Sequence, residues 1–259
     1  MSERLLNILV TSFGKIMLAG LKVTLPLTLL SFLLSLVLGL LLALFQVANI
    51  KGLKQFSRFY IWVFRGTPLI VQLFIIFFGL PSIGVTLDAF PAAVLGFGLN
   101  LGAYNAEVFR SAIMSVPKGQ LEASYLIGLT YPQALRRVVL PQSYRVAFPN
   151  LFNNLISLLK DTSLASSITV IELFTVAEQV AARTYEPFAL YMEAAIVYLL
   201  FSTLLTWLQN YLEKKLVWKT KAGAACSRDS GDADDSGADS EDGDSDGASG
   251  RMKPIIGGK

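Results

Sequence analysis

The sequence predicts an all-α integral membrane protein: five transmembrane helices and one sizeable internal polar loop. Three observations predict it. The chain of 259 residues is 53% hydrophobic and 16% charged, with a mean hydropathy of +0.54, too apolar for an ordinary soluble domain. Apolar runs long enough to cross about 30 Å of hydrocarbon recur along it. Lys and Arg gather in every second loop, as they do at the cytoplasmic ends of multi-pass chains.

The first span is read from about Met17 to Val47, with no charge between Val23 and Val47 and with Lys22 snorkelling to the interface at its outer end. The second is about Phe56 to Leu80, interrupted by Gly66-Thr67-Pro68. Proline removes a backbone donor and kinks a helix, so this break is either a static kink or a hinge beside a cavity. The third runs from about Pro91 to Ile113, the fourth from Phe148 to Ile168 and the fifth from Phe188 to Leu212. Between the last two, Thr169 to Tyr185 is too polar to span. Val170, Phe174, Ala177 and Ala181 recur at helical spacing, which predicts an amphipathic helix at the outer surface.

Charge sets the orientation. Lys51, Lys54 and Arg58 follow the first span, Lys118, Arg136, Arg137 and Arg145 the third, and Lys214, Lys215, Lys219 and Lys221 the fifth. These belong in the cytoplasm, which places the amino terminus outside and the carboxyl terminus inside. Arg4 and Lys15 are exceptions at the outer end. No cleavable signal peptide is legible, so the first span is expected to act as an uncleaved insertion signal. Residues 1–222 form the membrane domain and 223–259 an acidic tail. The stretch Ser227 to Gly250 is almost entirely Ser, Asp, Gly, Ala and Glu, and is expected to be disordered because it has too little apolar area to offset chain entropy. Within it Asp242 to Gly247 imitates the start of a calcium loop, but Lys253 stands where a bidentate Glu is needed. The lone Cys226 and the absence of histidine exclude a disulfide framework and a Cys/His metal site. The basic body is read as membrane-surface charge, not as a nucleic-acid interface.

The polar loop, about residues 114–145, carries the most information. Gln120 to Leu126 reads as a short helix, Gly128-Leu129-Thr130 as a turn and Pro132 to Val139 as a second helix. Gly128 suits a helix end at positive φ, Thr130 caps the next helix, and Pro132 falls in its first turn. Such a helix pair is a rigid knob to offer a soluble partner.

The spacing Glu122-Ala123-Ser124, three residues, Gly128-Leu129, then Val138-x-Leu140-Pro141 resembles the E-A-A loop of ABC importer permeases, with Ser124 for the second alanine and Val138 for isoleucine. Arg65-Gly66-Thr67-Pro68-Leu69, Ala103 to Arg110 and Ser157 to Leu164 resemble the polar-amino-acid branch of that family, in its order and spacing, and Arg183 to Phe188 is most similar to cystine-type permeases. The resemblance covers about Leu18 to Leu216. It implies a type I ABC importer permease fold in the prokaryotic plasma (inner) membrane. It also implies a second permease copy, most simply in a homodimer, an external solute-binding protein and a cytoplasmic ATPase dimer that binds ATP and Mg. The chain itself holds no G-x-x-x-x-G-K-[ST] run and is expected to bind no cofactor and to be no enzyme. Glu122, Ala123, Ser124, Gly128, Leu129, Leu140 and Pro141 would couple to the ATPase.

Charges inside spans are costly, at least about 2.5 kcal/mol on insertion scales, and so line a path or pair. Candidates for the path of a polar amino acid are Arg65, Thr67, Asn105, Glu107, Lys160, Asp161 and Ser163. Glu107 or Asp161 would meet an ammonium, Arg65 or Lys160 a carboxylate. The competing reading pairs Lys160 with Asp161, and Glu107 with Arg110 three residues on. Two other functions remain open from the residues: a secondary transporter driven by an ion gradient through Glu107 and Asp161, and a membrane scaffold without transport.

Overall fold

The structure, a computed structural model, describes residues 3–48 and 50–228, for 216–228 the backbone alone. Every regular element among these residues is helical. The chain divides into two units, Met1–Val217 and Trp218–Lys259. The elements are α1 (Glu3–Ala19), α2 (Leu25–Val47), α3 (Lys51–Gly66), α4 (Leu69–Phe74), α5 (Ala89–Met114), α6 (Lys118–Leu126), α7 (Tyr131–Ala134), α8 (Leu140–Asp161), α9 (Leu173–Thr184) and α10 (Pro187–Arg228). The backbone of α10 therefore continues through residues 223–228. The rest of the expected tail, with its calcium-like run, lies outside the described residues.

Three helices contain one wide π-turn each, and each π-turn has the same cause. Gly20–Thr24, Ile75–Gly79 and Leu135–Val139 all end two residues before a proline, in the pairs Leu25-Pro26, Leu80-Pro81 and Leu140-Pro141. Proline cannot donate to the carbonyl four residues back, and its ring clashes with it. Widening the turn lets the preceding leucine donate five back instead: Leu25 to Gly20, Leu80 to Ile75 and Leu140 to Leu135. The helix therefore continues. Glu3–Val47 is one rod of 45 residues, about 68 Å at 1.5 Å per residue, so the first helix begins well before Met17. Likewise the loop's second helix does not end at Val139; it runs on into α8.

The second span does break. Lys51–Gly66 and Leu69–Ile83 are bent by 105° at Thr67-Pro68. By length and composition two helices are long and apolar enough to cross a membrane, Glu3–Val47 and Pro187–Lys215, or four if the bent pairs Lys51–Ile83 and Tyr131–Thr184 each count as one. The central helix α5 is not among them; it carries Asn100, Asn105, Glu107 and Arg110.

Contacts give the helix directions. A Cβ on Gly98 would strike Leu34, one on Gly102 would crowd Leu38, and one on Gly39 would strike Asn105, so α2 and α5 run parallel. Their spacing of small residues lets the two backbones approach closely. Asn154 on α8 meets Asn105, while Ala147 and Leu151 pack with Ala112, so α8 is antiparallel to α5. Ser12 reaches Glu193, and Gly20 faces Phe201, so α10 runs parallel to α1. α3 runs against α2, with Ser57 Oγ donating to the Leu42 carbonyl. The chain thus makes passes in alternating directions. One core layer gathers Leu27, Leu73, Phe97, Leu101, Leu158 and Ile168 between α2, α4, α5, α8 and the 3-10 turns Thr162–Ile168 that follow α8. The other gathers Ile16, Leu159, Leu173, Ala177, Leu190 and Val197 between α1, α8, α9 and α10.

The expected amphipathic helix is α9, with Leu173, Ala177 and Ala181 buried. Phe174, at the edge of that face, is half-buried and stacks on Tyr191 of α10 at 5.7 Å. The helix is bent by 54° from the rod before it.

Candidate functional site

The polar loop between α5 and α8 is built as its sequence demands. α6 starts after Pro117 and ends at Gly128, whose φ is +81°. The Gly128 N–H donates to the Tyr125 carbonyl at 2.9 Å and the Leu129 N–H to the Ser124 carbonyl at 3.1 Å. This is the Schellman pair that closes a helix with a left-handed residue. One residue later Thr130 opens α7 with a capping box, its backbone N–H donating to Gln133 Oε1 at 2.9 Å. The two short helices are therefore locked at a fixed angle.

Within this knob the candidate residues divide. Ser124 is buried and donates to the Leu121 carbonyl at 2.6 Å, which explains why a small residue suffices there. Leu129 and Leu140 are half-buried, and Glu122, Ala123 and Pro141 are exposed. At the tip, Leu126 and Ile127 are 89% and 76% exposed. Sequence reading did not single out these two apolar side chains, which no other described residue covers.

The path candidates do not form one site. Asn105 is fully buried; its Nδ2 donates to Ser35 Oγ and its Oδ1 accepts from Asn154 Nδ2, both at 2.8 Å. It pins α2, α5 and α8 together. Arg65 lies over the Tyr104 ring at 5.2 Å. Glu107 forms an ion pair with Arg110 at 2.7 Å, as the spacing of three permits. Lys160 and Asp161, in contrast, are both exposed and no ion pair joins them. Lys160 and Ser163 instead line a recess of about 410 Å³ with Phe174, Tyr191, Tyr198 and Ser202.

Thr67 belongs to the helix break. Its Oγ1 donates to the Val63 carbonyl at 2.9 Å and accepts from Gln72 Nε2 at 2.7 Å. Gln72 Nε2 also donates to the carbonyls of Phe64 and Thr67, and Asn100 Nδ2 donates to Phe64 O and Gln72 Oε1. The backbone groups that Pro68 orphans are thus met by two side chains, the condition under which irregular backbone survives at membrane depth. Gln72 and Asn100 were not found from sequence; Gln72 lies five residues beyond Thr67, and Asn100 reaches it from α5, 28 residues further on.

Two buried acids were also missed. Glu193 accepts from Ser12 Oγ at 2.6 Å. Glu172 has no exposed surface. Its Oε1 caps α9 by accepting from the Thr175 N–H at 2.8 Å, and its Oε2 accepts from Tyr198 at 2.8 Å and Thr24 at 3.3 Å. In the sequence it reads as one of three acids in an outer loop. The glutamate three residues before Thr175 was the available signal.

Comparison with known proteins agrees with this geometry. The L-cystine transport system permease protein TcyB of Bacillus subtilis is 47% identical over 206 residues, 79% of this chain and 88% of that protein. A probable amino-acid ABC transporter permease protein of the same organism, YckA, is 41% identical over 196 residues, 76% of this chain and 87% of that one. Among solved structures, an amino acid ABC transporter crystallised with histidines superimposes with a TM-score of 0.76 at 33% identity, covering 83% of this chain and 100% of that chain. A methionine ABC transporter in an inward-facing conformation shares the fold at a TM-score of 0.62 and 20% identity, covering 83% of this chain and 99% of its own. Residues 35–218 match the family described as binding-protein-dependent transport system inner membrane component, and the chain belongs to that family.

Proposed function

We propose that this chain is the permease subunit of an ATP-driven importer of polar amino acids, cystine among them. In this reading it works as a homodimer with a cytoplasmic ATPase dimer and an external solute-binding protein. The observation that carries the proposal is the locked knob at the end of α5. A helix pair held by a Schellman pair and a capping box presents exposed Leu126 and Ile127 with Glu122 beside them. That is a docking element for a moving partner. Because α7 runs into α8 without a break, a push on the knob becomes a tilt of the rod ending at Lys160 and Asp161. Relatives named as cystine and amino-acid permeases support the substrate class.

The alternating helix directions favour five spans, α1–α2, α3–α4, α5, α8–α9 and α10, with the termini on opposite sides, and the basic loops favour the amino terminus outside and the carboxyl terminus in the cytoplasm. In the path, the Lys160 ammonium would receive the substrate carboxylate. Tyr191 and Phe174 flank it, and Asp161 stands next to it for the ammonium group. Closing of the ATPase dimer opens this recess outward, and hydrolysis resets it inward.

The test is uptake by proteoliposomes holding this chain, its ATPase and its binding protein, offered labelled cystine, arginine, glutamine and histidine. ATP-dependent accumulation of one of these is expected. Accumulation on a proton gradient without ATP would overturn the reading in favour of secondary transport.

A further inference from the structure

A second recess, of about 680 Å³, lies at the same end of the bundle as the docking knob, between the end of α2, the start of α3 and the last turns of α5. Lys54, Arg58 and Arg110 converge on it, against the single acid Glu107, which is already paired with Arg110. Three cations against one carboxylate leave two positive charges over, and neither Lys54 nor Arg58 has a carboxylate partner among the described residues. Lys54 and Arg58 are one helical turn apart on α3, so both aim into one concavity. The rim of the recess is apolar: Trp62, 72% exposed, and Met114, 68% exposed, border it. On α3 the apolar surface continues outward through Phe59, whose ring lies 6.1 Å from that of Trp62.

A cationic floor opening onto an exposed aromatic rim fits a ligand with an anionic head and an apolar tail. We propose that this recess is a binding site for an anionic phospholipid, its phosphate held by Lys54 and Arg58 and its acyl chains lying along Trp62 and Phe59. A free phosphate or nucleotide would satisfy the cations and leave the rim uncovered. The cytoplasmic leaflet is where basic recesses between membrane helices meet such lipids. Assignment to that leaflet rests on the orientation proposed above. The binding does not, since a nanodisc offers the lipid on both faces and a wrong orientation leaves the signal intact.

The experiment uses the full complex with its ATPase, in phosphatidylcholine nanodiscs. Trp207→Phe and Trp218→Phe leave Trp62 as the sole tryptophan of the permease chain, and tryptophan-free partner subunits keep it the only reporter. A tenth of the lipid carries brominated chains, on either phosphatidylglycerol or phosphatidylcholine. Brominated phosphatidylglycerol is expected to quench Trp62 about fivefold more effectively than brominated phosphatidylcholine. Lys54→Gln with Arg58→Gln should bring the ratio to one, with phosphatidylcholine quenching preserved as the control for correct insertion. Glu107→Gln, which releases Arg110, should raise the ratio. Millimolar inorganic phosphate should leave it unchanged. Equal quenching by the two lipids, a preference that survives the double substitution, or its abolition by phosphate would each overturn the proposal. So would shielding of Trp62 from both lipids together with its cross-linking to a second copy.

Discussion

Removing the carboxylate of Glu172 should loosen the junction of α1–α2, α9 and α10 by about 3 kcal/mol. The figure follows from its partners. Glu172→Ala deprives the Thr175 N–H of its acceptor at the first turn of α9, a cap worth about 0.5–2 kcal/mol. It also leaves the Tyr198 hydroxyl without its 2.8 Å acceptor, and a buried donor left unsatisfied costs about 1–3 kcal/mol. The 3.3 Å contact from Thr24 adds little. Glu172→Gln is the informative companion. Its amide oxygen still caps Thr175, and its NH₂ faces two hydroxyls, each able to turn and accept, so the expected loss is only about 1 kcal/mol. The assay is thermal unfolding of the purified chain in detergent, followed by tryptophan fluorescence, on wild type, both variants, Tyr198→Phe and the Glu172→Ala/Tyr198→Phe double. Stability should fall in the order wild type, Gln, Ala, and the cycle should show coupling of at least about 1 kcal/mol between positions 172 and 198. An alanine variant as stable as wild type, or a glutamine variant as unstable as alanine, would refute the reasoning.

Glu122→Lys reverses the exposed charge of the docking knob. It should abolish ATP-driven uptake in proteoliposomes while the chain still inserts, since like charges across a contact cost several kcal/mol; normal uptake would sink the coupling assignment. Gln72→Leu removes the donors to Phe64 O and Thr67 O at the helix break and should cost about 1–3 kcal/mol, read as a lowered unfolding midpoint and faster proteolysis near residue 67. Lys160→Ala should raise the KM for uptake about tenfold or more with little change in kcat, because a charge-assisted contact to the substrate carboxylate is lost; an unchanged KM would place the substrate elsewhere. Truncation after Ala222 should leave uptake intact, and loss of transport in a stably inserted truncation would assign the tail a role.

Much of this protein is written in local chemistry. The first and last spans, Glu3–Val47 and Pro187–Lys215, follow from long apolar runs, and the polar loop from Gly128, Thr130 and Pro132, because caps and turns are decided within a few residues. The Glu107–Arg110 pair is also local, set by a spacing of three. What is decided by tertiary structure is which polar residues carry structure and which are left for function. Asn105 reads as a path residue by its rarity in an apolar helix, yet it binds Ser35 and Asn154 on two other helices. At Thr67 the sequence leaves a static kink and a hinge both open, and the bonds from Gln72 and Asn100 staple the break. Glu172 reads as a surface acid, yet it is buried among groups that lie 26 and 148 residues away in sequence. Lys160 has no ion-pair partner among the described residues and borders a recess whose far walls come from α9 and α10. Hydrogen-bond partners across helices depend on which faces meet, and the periodicity of one helix holds no record of its neighbour's register. Composition and local pattern thus determined a multi-pass helical membrane protein with a structured polar loop; the packing alone determined which of its polar side chains are already satisfied.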